Sequence, residues 1–156
     1  MNAISEEKES ATFDVSNLSS EVTVQIQDST KTNKKIKGLL DTGAGGVHIK
    51  RSALKNTRYT VQNVNVVVTG QYSKRTIKQM AIFECKLIDF CSSRKVQVRA
   101  YIDEDAVGSH EIVFGKRFCA EIGIIMNYKT KTIIWDDLSI PMFKNRLTKG
   151  YQFHLR

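Results

Sequence analysis

The chain has 156 residues, 41% of them hydrophobic, and its 24 Lys and Arg against 16 Asp and Glu give a formal net charge of +8. This length fits one domain with a sizeable core, and the apolar content is too high for a disordered polymer. No apolar run approaches the roughly 20 residues of a membrane-spanning helix, and Met1 to Ser10 lacks the basic start and apolar stretch of a secretory signal, so no membrane partner and a cytoplasmic location are expected.

Residues 1–20 are polar, rich in Ser and Glu and without period, and read as a flexible leader. Val22, Val24 and Ile26 then alternate with polar residues, the mark of a half-buried strand. A turn cluster over 28–33 leads into a second strand, Ile36 to Leu40. Further strands are expected at Val64 to Val68, Thr76 to Met80, Ile82 to Leu87, Val96 to Tyr101, Ile112 to Phe114, Ile124 to Met126 and Thr132 to Trp135. Val66 to Ile77 reads as a hairpin bent at Gly70. Two segments look helical: a turn at Ser52 to Lys55, and Lys116 to Ile122, whose Phe118, Cys119 and Ile122 share one face. Pro141 ends regular structure at or before Ile140, and the residues after it are basic and unpatterned. The pattern is that of a compact, mainly antiparallel all-β domain or barrel.

Cys85, Cys91 and Cys119 are odd in number and lack CxxC spacing, and His48, His110 and His154 are scattered, so no metal or other cofactor is expected. The basic residues fall on strand faces, turns and the tail, with no RNP-like aromatic pattern or zinc knuckle. Nucleic acid is therefore not expected as the main partner.

Chemistry concentrates at Asp41. An aspartate ending an apolar strand is costly to bury as an ion unless donors meet it. Gly43, Gly45 and Gly46 after it let backbone N–H groups approach closely, and Thr42 supplies a hydroxyl. Asp followed by Gly at a strand end also suits an ordinary turn, so the motif is weak alone.

Context strengthens it. Leu39-Leu40-Asp41-Thr42-Gly43-Ala44, followed about seventy residues on by Ile112-Val113-Phe114-Gly115 and a short helix, resembles the retropepsins, the dimeric aspartic proteases of retroviruses and LTR retrotransposons. The likeness spans roughly Val22 to Trp135. The run through Trp135-Asp136-Asp137-Leu138-Ser139-Ile140-Pro141-Met142 looks like the segment after the protease core in gypsy-like retrotransposon polyproteins. The sequence departs from many members at two points: Gly45-Gly46 and Lys116, with Arg117 next, stand where an acidic residue and an arginine form an ion pair.

The resemblance implies a retropepsin-like acid-protease barrel with one short C-terminal helix, forming one subunit of a symmetric dimer. It implies a leader over 1–20, a protease domain over 21–136 and a basic linker over 137–156 toward a downstream domain. Peptide hydrolysis by this route needs two carboxylates sharing one proton. With one D-T-G per chain, two copies must pair about a two-fold axis, each donating Asp41. Thr42 would bond to the opposite subunit's backbone and Gly43 would present its carbonyl to the substrate. Ala44, Gly45 and Gly46, the flap residues Thr69, Gly70 and Gln71, and Val113 and Phe114 are the expected substrate contacts, although the last two also suit a core. The substrate would be an extended polypeptide, the chain's own polyprotein, processed in the cytoplasm or in virus-like particles. Three alternatives stand beside this: a retropepsin-like domain of a cellular protein, a catalytically silent β domain binding a partner or RNA through basic faces, and a weaker Cys119–His110 hydrolase.

Overall fold

The computed structural model describes residues 18–27, 33–70, 74–106 and 108–142. The leader up to residue 17, the turn at 28–32, the hairpin tip at 71–73 and the tail from 143 lie outside the described residues.

Strand β1 (Glu21–Gln27) buries Val22, Val24 and Ile26 on one face and pairs antiparallel with β2 (Asn33–Leu40), from Glu21 opposite Leu39 to Gln27 opposite Asn33. β3 (Val47–Ile49) follows the Asp41 loop, and a short 3-10 turn (Arg51–Leu54) buries Ala53 and Leu54. β4 (Thr60–Thr69) and β5 (Lys74–Leu87) form a long hairpin, with an irregularity between Asn63 and Val66. β6 (Val96–Ile102) and β7 (Ile112–Phe114) complete the main sheet, whose order is β1-β2-β7-β3-β6-β5-β4. Pairing of β1 with β5, Val24 opposite Leu87, closes it into a barrel and leaves β4 projecting from β5. Most pairs are antiparallel. β2–β7 and β3–β6 are parallel, and β7, paired with β2 on one side and antiparallel with β3 on the other, brings the second apolar motif against both ends of the Asp41 loop.

Inside the barrel the alternating residues Val24, Ile36, Leu40, Ala81, Phe83, Val98, Ile112 and Phe114 are buried. Gly38 sits among them because an added Cβ would lie 3.0 Å from Val24 Cγ2, 3.2 Å from Ile112 Cγ2 and 3.3 Å from Phe114.

Helix α1 (Lys116–Ile122) starts at Gly115 and stops at Gly123, whose φ of 83° is the left-handed conformation that glycine adopts without strain. Its Phe118 and Cys119 are buried and Ile122 packs partly against the core, the face expected from their spacing. A second sheet, β10-β9-β8, follows, made of β8 (Ile124–Asn127), β9 (Thr132–Trp135) and β10 (Leu138–Pro141). Trp135 is buried in it and donates from Nε1 to the Ile122 carbonyl at 2.9 Å, joining this sheet to the helix end.

Three expectations need correction. Thr76–Met80 and Ile82–Leu87 are one strand, because β5 passes Ala81 without interruption, pairing with β4 early and with β6 and β1 later. Regular structure does not end before Pro141, because β10 is an edge strand and an edge strand tolerates a residue without an N–H. Ile140 and Met142 are buried, so the packed fold runs past the boundary set at 136. Among the described residues, no helix is long and apolar enough to cross a membrane, and no group of three or more His, Cys, Asp or Glu is placed to hold a metal ion.

Candidate active site

Leu40 is the last residue of β2, and its inward side chain leaves Asp41 on the opposite side of the strand, partly exposed. The Asp41 backbone N–H donates to the Phe114 carbonyl at 2.8 Å, which fixes where the carboxylate leaves the sheet. The Gly43 N–H then turns back to donate to Asp41 Oδ1 at 2.9 Å, and the Ala44 N–H donates to the Asp41 carbonyl at 3.1 Å. One carboxylate oxygen therefore has a fixed donor while the group as a whole remains open to solvent.

The loop is clamped to the start of α1. Gly115, Lys116 and Arg117 donate their backbone N–H groups to the carbonyls of Gly46, Ala44 and Gly45, at 2.9, 2.9 and 3.2 Å. Gly115 is obligatory for this approach, since a Cβ there would stand 2.4 Å from Gly46 O and 2.7 Å from Ala44 O. Where many retropepsins were expected to place an ion pair, this chain joins the same two segments through main-chain hydrogen bonds.

Thr42, Gly43 and Gly45 are exposed on the loop surface, and Ala44 and Gly46 are half-buried. Thr69 ends β4 and is exposed, Gly70 is half-buried beside it, and Gln71 lies outside the described residues. The two residues of the second motif point to opposite faces of β7. Phe114 is wholly buried and stacks on Phe118 with ring centroids 4.5 Å apart, so it belongs to the core rather than to a substrate contact. Val113 pairs with both Leu39 and His48, placing it on the face of the sheet that carries Asp41.

That face contains residues which the sequence reading overlooked. His48 pairs with Tyr101 as well as Val113, and Tyr101 pairs with Met80, so these residues share one face of the sheet, on which His48 and Val113 are buried. The rings of His48 and Tyr101 lie 5.3 Å apart. An open groove beside them is lined by Gly46, Met80, Arg99, Tyr101, Arg117 and Glu121. Asp103, two residues beyond Tyr101, is 3% exposed and accepts from His48 Nδ1 at 2.9 Å and from both Arg75 Nε and the terminal Arg75 nitrogen, at 2.9 and 2.7 Å. Burial pushes the Asp103 carboxyl up, but the hydrogen bonds from Arg75 and His48 outweigh it and leave the group below the usual carboxylate range. No local sequence signal marks this cluster, since its members are far apart in the chain.

The chain aligns with the crystal structure of the retroviral protease-like domain of Ddi1 from Leishmania major with a TM-score of 0.53 and 10% identity, over 82% of this chain and 96% of that one. The fold is retropepsin-like. A foamy viral protease-reverse transcriptase solved with an RNA/DNA hybrid aligns at a TM-score of 0.41 and 16% identity, over 66% of this chain and 12% of that much longer one. No family model matches the chain, and no curated protein matches it.

Proposed function

We propose that the chain is an aspartic endopeptidase that works as a homodimer, each copy bringing Asp41 to a shared site. The observation that carries this reading is the setting of Asp41: a partly exposed carboxylate at a strand end, held by the Gly43 N–H and clamped to the second apolar motif within a retropepsin-like fold.

The chemistry follows from charge. Two carboxyls brought together about a two-fold axis cannot both ionise, so the pair shares one proton. The ionised member takes a proton from water as it attacks the scissile carbonyl, and the protonated member donates to the carbonyl oxygen as charge develops there. Thr42 and Gly43 lie exposed beside Asp41, available to a second copy and to a substrate backbone. The projecting β4–β5 hairpin is the element suited to close over an extended peptide and exclude water. We infer that the substrate is the polyprotein containing this chain, on the strength of the Trp135 to Met142 run. The likeness to a Ddi1 domain favours a second reading, a protease-like domain of a cellular protein.

The test is cleavage of a peptide library and of peptides spanning residues on either side of the domain, by wild type and D41N, with sedimentation at the same concentrations. Expected are cleavage lost in D41N, inhibition by a transition-state-like aspartic-protease inhibitor, and a rate per chain that rises with dimer fraction. A wild-type dimer that cleaves nothing overturns the protease reading. Cleavage of library peptides with none at the domain's own flanks favours the cellular reading over the polyprotein one.

A further inference from the structure

The β4–β5 hairpin projects from the barrel, and most of β4 is exposed. Near its root it is tied down by Arg51, which donates to Gln79 Oε1 at 2.8 Å, and by Arg99, which donates to Gln62 Oε1 at 2.7 Å. Arg75 lies further out, opposite Val68 and one pair from the last pair before the tip, Thr69 with Lys74. From there its guanidinium reaches Asp103 with two parallel hydrogen bonds, the fork geometry that fixes orientation as well as distance.

Asp103 is itself immobilised. Its backbone N–H donates to the Ile49 carbonyl at 2.9 Å, its Oδ1 also accepts the Asp105 N–H at 3.2 Å, and its Oδ2 accepts from His48. A carboxylate only accepts, so His48 carries its proton on Nδ1 in this contact. His48 is the middle residue of β3, two positions after Gly46 of the Asp41 loop. One carboxylate thus contacts the outer part of the hairpin and the strand that leaves the catalytic loop.

We propose that Asp103 is a positioning residue that latches the hairpin to the sheet beside the Asp41 loop, gripping Arg75 on the hairpin and His48 in β3. The proposal deepens the protease reading, on which its catalytic consequence rests; its structural consequence stands alone. The pair is largely shielded from water, the Arg75 side chain 20% exposed and that of Asp103 2%, although Arg75 sits near the outer end of the hairpin. Placed there, it sets the height and angle at which the hairpin stands over the loop, and hence how well an extended substrate is gripped.

The test compares wild type, R75M, R75K and D103N by hydrogen-deuterium exchange and by peptide cleavage. In R75M and D103N, amide exchange in residues 60–69 and 74–80 accelerates about tenfold, the scale set by losing a charged hydrogen-bonded pair, while β1 and β2 keep wild-type protection. KM rises several-fold with a smaller change in kcat, and R75K, which retains one charged donor, recovers part of both. Hairpin exchange unchanged in R75M overturns the latch, and so does acceleration spread evenly over β1, β2 and the hairpin. Should D103N fail to fold, R75M decides the matter, because Arg75 is a partly exposed side chain whose loss leaves Asp103 with its other donors. If no variant and no wild type cleaves peptide, the protease reading fails while the exchange data still judge the latch.

Discussion

The backbone N–H of Gly115 donates to the Gly46 carbonyl at 2.9 Å, and the same oxygen lies 2.4 Å from where a Cβ at 115 would sit. Two loops meet here main chain to main chain, and neither can swing aside as a side chain would. The φ of −83° is ordinary, so the demand for glycine is steric. G115A is expected to cost ~1–3 kcal/mol, the range for overpacking a closed site, and to lower any cleavage activity as the Asp41 loop shifts. G45A, where nothing lies within 4 Å of the added carbon, should change stability by less than about 0.5 kcal/mol. Urea denaturation of both variants checks the contrast, and equal midpoints would contradict the close approach.

The three thiols should react very differently. Cys91 is partly exposed, and the hydrogen bond with Ser93, whose Oγ is 3.3 Å away, holds its thiol below the usual cysteine range. Burial pushes Cys85 up to about 12 and Cys119 up to about 11. A thiol reagent near neutral pH is expected to modify Cys91 rapidly and the other two only on unfolding. Three equal native rates would refute the burial of Cys85 and Cys119.

Asp103 makes stability depend on acid. Its folded-state value lies below its ordinary 3.8, so its contribution is complete above that value and disappears as pH falls through the lower folded one. The denaturation midpoint of wild type should therefore fall as pH drops below about 4. D103N should start less stable and show a shallower decline over the same interval. Parallel curves for the two proteins would show that Asp103 is not among the groups responsible.

Trp135 is the only tryptophan, 1% exposed, with its ring edge-on to Phe90 at 5.7 Å and the Arg94 guanidinium 4.1 Å over its face. W135F keeps much of the packing but removes the donor to the Ile122 carbonyl, leaving an acceptor at the helix end unmet. The expected loss is ~1–3 kcal/mol, read as a lowered thermal midpoint. A midpoint equal to wild type would mean that the hydrogen bond contributes nothing net.

The sequence made the barrel walls legible because β1 and the inner half of β5 alternate apolar and polar residues, and α1 because Phe118, Cys119 and Ile122 recur at helical spacing. β3 escaped notice because Val47, His48 and Ile49 are all buried and three residues show no period. The root of β4, from Thr60 to Asn63, is exposed and mainly polar, so burial left no pattern there. β10 was hidden by its proline. Asp41 stood out through its glycines, but Asp103, Arg75 and His48 did not. Each looks like a surface charge in its own segment, and only the parallel pairing of β3 with β6 and the reach of the hairpin bring them into contact.

The parallel pairing of β2 with β7 carries a consequence for synthesis. Gly38 lies opposite Ile112 and Leu40 opposite Phe114, so the strand that presents Asp41, already paired with β1 on one side, lacks its second neighbour until a stretch encoded far downstream has emerged from the ribosome. Contacts this distant in sequence form late, because the intervening chain must first be drawn into a loop. A nascent chain that has exposed its D-T-G but not its second apolar motif holds an unseated carboxylate loop. The polypeptide thus acquires the geometry of its Asp41 loop only once β7 has been made, a timing written into strand order.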